Sequence, residues 1–203
     1  MMSSKQTKAP VQVTDKKRLP KEERNRQLLD IAWSIVRSEG SDALTLGCLA
    51  ERAGVTKPVV YDHFGTRTGL LGVLYEEYDN RQHALMDEAL RASGNSLPAV
   101  AKVIATAYVN CVMEMGREMP GVSAALAGSP ELDALKKECD AAFLAKCRDA
   151  LQPFAKQPLG PAGMCAILGT AEAVSFAAAA GKLDPADAQN EIYDAIVRIA
   201  RRT

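Results

Sequence analysis

An all-α fold of about nine helices is predicted by three features of this 203-residue sequence. From Leu28 onward, apolar side chains recur with the spacing of one helix face, as helices packed on a core require. Gly, Pro and Ser breaks divide this pattern into segments of helical length. No stretch alternates apolar and polar residues between hairpin turns, which is the pattern of half-buried strands.

Three helices are predicted in the first part of the chain, after an arm without periodicity. Residues 1–20 mix Lys, Ser, Thr, Gln and Pro, a composition typical of a disordered basic arm. Gly54 ends the second helix, and Thr45 and Thr56 are placed to cap the second and third, because a threonine hydroxyl accepts a hydrogen bond from first-turn amides. The three helices are expected at 28–39, 45–53 and 56–63.

Longer helices are predicted after residue 66, separated by breaks at Pro120, Gly121 and Pro130 and by a loop at 152–163. The stretch 162–181 has the length of a membrane span, but it consists mostly of Ala and Gly and contains Glu172. We therefore predict a buried helix of a soluble protein there, and no membrane association. The helices are expected at 66–92, 100–119, 132–151, 162–180 and 185–201.

Charge is distributed unevenly, although the formal net charge is +0. Residues 1–67 carry 12 basic and 8 acidic side chains, and residues 68–203 carry 13 and 17. This asymmetry is typical of a nucleic-acid-binding module joined to a body with another task, although a solvated basic tail gives the same balance. The five cysteines form no CxxC pair and the two histidines no metal-ligand spacing, so we expect reduced thiols, a cytoplasmic location, and no metal or cofactor.

Two short helices joined through Gly54 have the minimum signature of a helix-turn-helix, whose second helix enters the DNA major groove. A generic helical hairpin has the same apolar spacing. Donors on the solvent-facing side of the second short helix favour DNA binding, because phosphates and base edges require them. These donors are Thr56, Lys57, Tyr61 and His63, and Arg67 opens the following helix.

The segment 27–71 resembles the N-terminal domain of the TetR family of bacterial transcriptional regulators. The resemblance is carried by LLDIAWSIVRSEG and by TLGCLAERAGVTKPVVYDHFGTRTGLL, and it covers under a quarter of the chain. It implies a helix-turn-helix DNA-binding domain at 21–66 and a helical effector-binding and dimerisation domain at 67–203.

The resemblance also implies roles for single residues. Thr45 corresponds to a position that meets a phosphate, and Arg67 to the basic residue at the start of the fourth helix. Gly47 departs from the family, since many members have a longer, often basic side chain there. The resemblance assigns base reading to Thr56, Lys57, Pro58 and Val59, and phosphate contacts to Tyr61 and His63.

A second basic group precedes the predicted first helix. Its members could neutralise phosphates or enter a minor groove, although a tail that only aids solubility has the same composition. The group comprises Lys16, Lys17, Arg18, Lys21, Arg24 and Arg26.

The last two helices are each apolar on one face. By resemblance to the family, we expect them to form a homodimeric four-helix bundle across a two-fold axis. A core within one chain would use the same residues. They are Ile167, Leu168, Ala171, Val174, Ala178, Ile192, Ile196, Val197 and Ile199.

A pocket for an unknown small-molecule effector is expected among residues 74–78, 108–119 and 143–147. Soft and amphipathic side chains there suit an apolar ligand, although such residues more often belong to an ordinary core. The candidate ligand-binding residues are Tyr78, Tyr108, Cys111, Met115, Met119, Phe143 and Cys147.

Together these features predict a dimeric, sequence-specific transcription regulator, a repressor that a small molecule releases from a palindromic operator in double-stranded DNA. The alternative is a helical ligand-binding or scaffold protein without DNA binding. An enzyme is not predicted, because the sequence contains no GxSxG, HExxH or P-loop motif.

Overall fold

The computed structural model describes residues 19–202. Within that range the chain forms nine α-helices and two single-turn 3-10 helices, at Ser41–Ala43 and Gln152–Phe154, and no β-strand. The predicted all-α fold is therefore confirmed. The α-helices are α1 (Lys21–Glu39), α2 (Leu46–Ala53), α3 (Lys57–Phe64), α4 (Arg67–Ala92), α5 (Leu97–Glu118), α6 (Val122–Ala127), α7 (Pro130–Leu151), α8 (Pro161–Ala179) and α9 (Pro185–Arg202).

Helix α1 begins at Lys21, earlier than the predicted start at Leu28. Its first turns carry no buried residue, so the apolar period could not reveal them. Two acidic residues in the first turn, Glu22 and Glu23, interact favourably with the positive end of the helix dipole. Three residues assigned to the arm therefore lie on α1, namely Lys21, Arg24 and Arg26. Residues 1–18, with Lys16, Lys17 and Arg18, lie outside the described residues.

Threonine hydroxyls begin two of the N-terminal helices. Thr45 Oγ1 accepts a hydrogen bond from the Cys48 amide at 3.0 Å, and Thr66 Oγ1 accepts one from the Gly69 amide at 2.9 Å. Thr56 occupies the predicted N-cap position of α3, but its side chain does not make the expected hydrogen bond. Its hydroxyl stays exposed at the start of α3, where it is free to meet another molecule.

Two glycines allow the tight connections from α2 to α3 and from α3 to α4. Gly54 closes α2 in the left-handed conformation, at φ 62°, which favours glycine because other residues have a Cβ that clashes there. At Gly69, a Cβ would lie 2.4 Å from the Phe64 carbonyl oxygen. Only glycine therefore lets α4 start so close to the end of α3, and this spacing fixes the position of α3.

The helices enclose two hydrophobic cores. The first, which we call the head core, joins α1, α2, α3 and the first half of α4, and continues into Met115, Met119 and Val122. The second, the body core, joins α5, α7, α8 and α9 with the end of α4. The head core thus extends beyond the predicted domain boundary at residue 66, because the first half of α4 belongs to this core.

Helix α6 lies between the breaks predicted at Pro120–Gly121 and at Pro130, where no helix was predicted. Its buried Val122 and Leu126 pack into the head core, which stabilises a helix too short to be marked by periodicity. Next to it, the Ser41 amide donates a hydrogen bond to the Pro120 carbonyl at 2.9 Å. This segment therefore ties the body to the turn that precedes α2.

Helices α5 and α8 have the length and composition of membrane spans, but both pack against α9 and against each other. On α8 the predicted burial holds for one face only. We call the other face, which is exposed, the open face of α8. It comprises Ala162, Cys165, Ala166, Gly169, Ala173 and Phe176.

Most of the residues proposed for a dimer interface belong to the core of the single chain. Five of them are at most 3% exposed, namely Ile167, Ala171, Ala178, Ile192 and Ile196. The other four are half-buried, namely Leu168, Val174, Val197 and Ile199. The open face of α8, which the sequence did not single out, is the apolar surface that remains.

Candidate nucleic-acid interface and ligand cavity

Helix α3 separates its side chains into an inner and an outer face. Val60 and Phe64 are buried in the head core. Thr56, Lys57 and Pro58 are exposed, and Tyr61 is 53% exposed. Val59 and His63 are half-buried beside them. The outer face therefore presents a hydroxyl, an ammonium, a phenol and an imidazole to solvent, all groups that can donate to phosphates or bases.

Lys57 lies back over the start of α2 rather than pointing away from the protein. A Cβ built on Gly47 would be 3.6 Å from Lys57 Cε and 4.0 Å from its Nζ, and 3.9 Å from Thr45 Oγ1. An alanine at this position would therefore only touch the lysine, whereas a longer side chain would meet it. The ammonium of Lys57 thus lies close to the position where many family members have a longer side chain.

Arg67 is held by the protein itself. Its Nε donates to the Leu44 carbonyl at 2.8 Å and its Nη2 to the Ser41 carbonyl at 2.6 Å, and Asp42 lies 3.6 Å away. These bonds fix the turn that leads into Thr45. The sequence suggested only a phosphate contact for this residue, because the distance along the chain hides its approach to the turn.

A polar cluster joins α1 to the body, and we call it the junction cluster. Trp33 Nε1 donates to Glu77 Oε2 at 2.7 Å. Glu118 Oε2 accepts from Arg81 at 2.6 Å and from Arg37 at 3.1 Å, and both guanidinium groups lie over the Trp33 ring. The sequence analysis did not identify this cluster. The spacing of Trp33 and Arg37 on one helix face was the available signal.

A cavity of about 80 Å³ lies between α4, α5 and α7, with Phe176 of α8 at its wall. Five of the seven candidate ligand-binding residues line it, namely Tyr78, Tyr108, Cys111, Met115 and Phe143. Met119 does not, because it ends α5 inside the head core. Cys147 does not either, because it is fully buried in the body core.

Polar side chains also line the cavity, and the sequence analysis did not identify them. On α4, His83 Nε2 lies 3.5 Å from Asp79 Oδ2. On α7, Lys136 Nζ donates to Asp140 Oδ2 at 2.6 Å, and it also donates to Glu172 of α8 at 2.7 Å. Both pairs on single helices are four residues apart, a spacing visible in the sequence.

The thiols of the cavity are poor nucleophiles. Burial raises the pKa of Cys111 to about 12. Burial, with the nearby Asp79 carboxylate, also raises the pKa of Cys139 to about 12. Since the thiolate is the reactive form, both groups act as apolar lining at neutral pH. Within residues 19–202, no group of three His, Cys, Asp or Glu side chains is arranged to hold a metal ion.

Residues 28–74 match the family model of the bacterial regulatory proteins of the tetR family. Among curated proteins, the HTH-type transcriptional activator FasR of Mycolicibacterium smegmatis is 44% identical over 64 residues, which are 31% of this chain and 29% of FasR. The nucleoid occlusion factor SlmA of Mannheimia succiniciproducens is 23% identical over 107 residues, 52% of this chain and 47% of SlmA. This chain thus matches less than half the length of either relative.

Solved structures match over most of the chain. A candidate TetR-family transcriptional regulator from a Rhodococcus species superimposes with a TM-score of 0.67 at 20% identity, covering 88% of this chain and 99% of that one. The fatty acid degradation regulator FadR from Bacillus halodurans gives a TM-score of 0.64 at 17% identity, covering 90% and 97%. Residues 28–74 thus match the N-terminal domain of the tetR family, and the described chain has the fold of these solved structures.

Proposed function

We propose that the protein is a homodimeric, sequence-specific DNA-binding transcription regulator, a repressor whose operator affinity falls when a small molecule occupies the cavity. The outer face of α3 carries the proposal, because its donors are exposed on a helix whose inner face is fixed in the head core. In the two copies of a dimer, the α3 helices would enter successive major grooves about 34–36 Å apart.

In this proposal the start of α3 reads base edges, and the surrounding residues hold phosphates. Val59 contacts a thymine methyl group, and Thr56 and Lys57 donate to bases. Thr45, Tyr61 and His63 hold phosphates. Arg67 adds its charge and keeps the Thr45 turn in place through its two bonds to backbone carbonyls.

The open face of α8 supports the dimer. Small and apolar residues form this face along the whole helix, from Ala162 to Phe176, and small residues let helices approach closely. An exposed apolar patch is a candidate interaction site in a soluble protein. The half-buried Val197 on α9 adds to the same bundle, in which two helices from each copy pack across the two-fold axis.

Helix α4 supports control by a ligand. It starts at Arg67 beside the turn into α2 and carries Tyr78 and Asp79 in the cavity wall. A ligand changes an equilibrium only by binding one state better than the other. In the proposal, the ligand favours a second state of the protein. In that state α4 and the head have a different position from the one that they have on DNA.

Selection of genomic DNA fragments on the purified protein tests the proposal. It should enrich a short palindromic sequence with half-sites one helical turn apart. Tyr61→Ala should then lower operator affinity by about tenfold or more, with an unchanged thermal unfolding midpoint, since Tyr61 is 53% exposed. Leu85→Ala is the matched control, because Leu85 is 52% exposed on α4 and should leave DNA binding intact.

The outcomes separate the alternatives. No enriched sequence at low salt would contradict DNA binding and favour the ligand-binding or scaffold protein. Enrichment of single half-sites would contradict the dimer while leaving the role of α3 intact.

A further inference from the structure

We infer that the cavity accepts an amphiphilic organic cation, such as a protonated amine attached to an aromatic or alkyl group, and rejects acyl anions of the same shape. The inference rests on the proposed function, in which the cavity is the effector site, and names the chemical class of the effector.

The formal charges around the cavity are unbalanced. Asp79 and Asp140 line it, and Glu172 reaches its edge through Lys136. Against these three carboxylates stand one ammonium, Lys136, and the imidazole of His83. One carboxylate therefore has no counter-charge in the cavity even when His83 is protonated. A cation completes this balance, whereas an anion adds to the excess.

Lys136 is already neutralised by its own partners and has little positive charge to offer an anionic ligand. Its Nζ donates to Asp140 at 2.6 Å and to Glu172 at 2.7 Å. Burial lowers the pKa of Lys136, but these two carboxylates raise it by more, so the ammonium stays charged and paired. An incoming carboxylate would find only the third N–H of the ammonium and would lie close to two carboxylates that repel it.

Neutral groups in the cavity also experience a negative potential. Burial is the main cause that raises the pKa of the Tyr75 hydroxyl, and the Asp79 and Asp140 carboxylates raise it further. The pKa of Tyr108 rises through burial and then through Glu172 and Asp140. Carboxylates from α4, α7 and α8 therefore act on the same space.

Aromatic rings provide the second part of a cation site. Tyr75, Tyr108, Phe143 and Phe176 line the cavity, and the Tyr108 and Phe143 rings pack with centroids 5.1 Å apart. The face of an aromatic ring attracts cations, and more strongly where water is excluded. The apolar part of the ligand packs against these rings while its charged end meets Asp79 and Asp140.

Three probes with one skeleton test the inference: 4-phenylbutylamine, 4-phenylbutan-1-ol and 4-phenylbutyrate. At neutral pH the amine carries a positive charge, the alcohol carries none and the carboxylate carries a negative charge. Calorimetric titration of the full-length protein without DNA should show the amine binding at least about tenfold more tightly than the carboxylate, with the alcohol between them. Equal affinities, a preference for the carboxylate, or no binding of the amine would overturn the inference.

A double variant and a matched control locate the effect. Asp79→Asn with Asp140→Asn should abolish the preference for the amine. Asp87→Asn with Asp133→Asn makes the same changes on α4 and α7, at carboxylates that pair with Lys146 and Lys137 and do not line the cavity. This control should keep the preference, and its loss there would also overturn the inference. Thermal unfolding checks that both variants fold.

Operator affinity, measured on the same proteins, separates this inference from the proposed function. If the amine binds but leaves operator affinity unchanged, the proposed control by ligand fails and the charge preference stands. If the carboxylate binds better and releases DNA, the proposed function stands and the inferred ligand class is wrong.

Discussion

The head core and the body core are built from different side chains. In the head, large branched residues such as Leu28, Ile35 and Leu49 are fully buried. In the body, alanines supply much of the buried surface of α5, α8 and α9. Large side chains fill the space between short helices. Small ones let α5, α8 and α9 pack tightly but leave α4 and α7 with a cavity to enclose.

This contrast indicates a division of mechanical roles. A filled core holds α3 in one position, because close-packed interiors resist deformation. A core beside a cavity can change shape at lower cost. Helix α4 belongs to both cores, so it is the element through which the proposed control by a ligand would act.

Replacing one alanine by leucine in each region tests the contrast between the filled head core and the cavity in the body. The substitution in the head should give the largest loss of stability. Ala32 is fully buried in α1, so Ala32→Leu should destabilise the protein by about 1–3 kcal/mol through overpacking. Ala107 lines the cavity, so Ala107→Leu should change the free energy of unfolding by less than about 1 kcal/mol and weaken binding of 4-phenylbutylamine. Urea unfolding measures both, and equal destabilisation would contradict the contrast.

Acidification should weaken the junction cluster between head and body. The expected loss of stability is smaller than that of Ala32→Leu. Burial would raise the pKa of Glu118, but Arg81 and Arg37 hold it below its ordinary value of 4.5. A lowered pKa contributes stability above pH 4.5 that is lost as the pH falls through the folded value. Glu118→Gln should therefore cost up to about 1 kcal/mol at neutral pH, since the groups are partly exposed.

Urea unfolding at a series of pH values measures this cost. The difference between Glu118→Gln and the parent protein should disappear on acidification to below the folded pKa. The exposed Glu88→Gln on α4 serves as control and should show no such trend. A difference that stays constant with pH would show that the junction cluster does not act through the charge of Glu118.

The smallest expected effect concerns α2. A Cβ at Gly47 would make an ordinary contact with Lys57 at 3.6 Å, so Gly47→Ala fits without displacing the lysine. It should stabilise the protein by up to about 0.5–1 kcal/mol, because alanine favours helix over glycine, and leave operator affinity unchanged. Thermal unfolding and DNA titration measure both. A loss of DNA binding would show that Lys57 needs more space than the structure gives it.

The sequence was most informative about the head. Caps at Thr45 and Thr66 and the glycine at Gly54 are local signals, and the structure contains all three. The start of α1 was placed too late because its first turns bury nothing. The hydroxyl of Thr56 was assigned to a cap because its residue type allows one, whereas its geometry in the folded chain does not.

In the body, the sequence indicated side chains of suitable character but not which cavity they share. Met119 and Cys147 have the same spacing as the lining residues and differ only in the direction from which other helices cover them. The sequence analysis did not identify the charged lining, such as Asp79 and Lys136, because its place in the cavity depends on three helices that are distant in sequence. Long-range packing of this kind is not encoded in local periodicity.

The junction cluster has an optical consequence. Trp33 is the single tryptophan of the chain, and its indole lies beside two guanidinium groups and donates to Glu77. All tryptophan fluorescence of the protein therefore originates at the contact between head and body. Emission maximum and quenching will follow the relative placement of these two parts, so the native protein contains its own optical reporter of the contact between head and body.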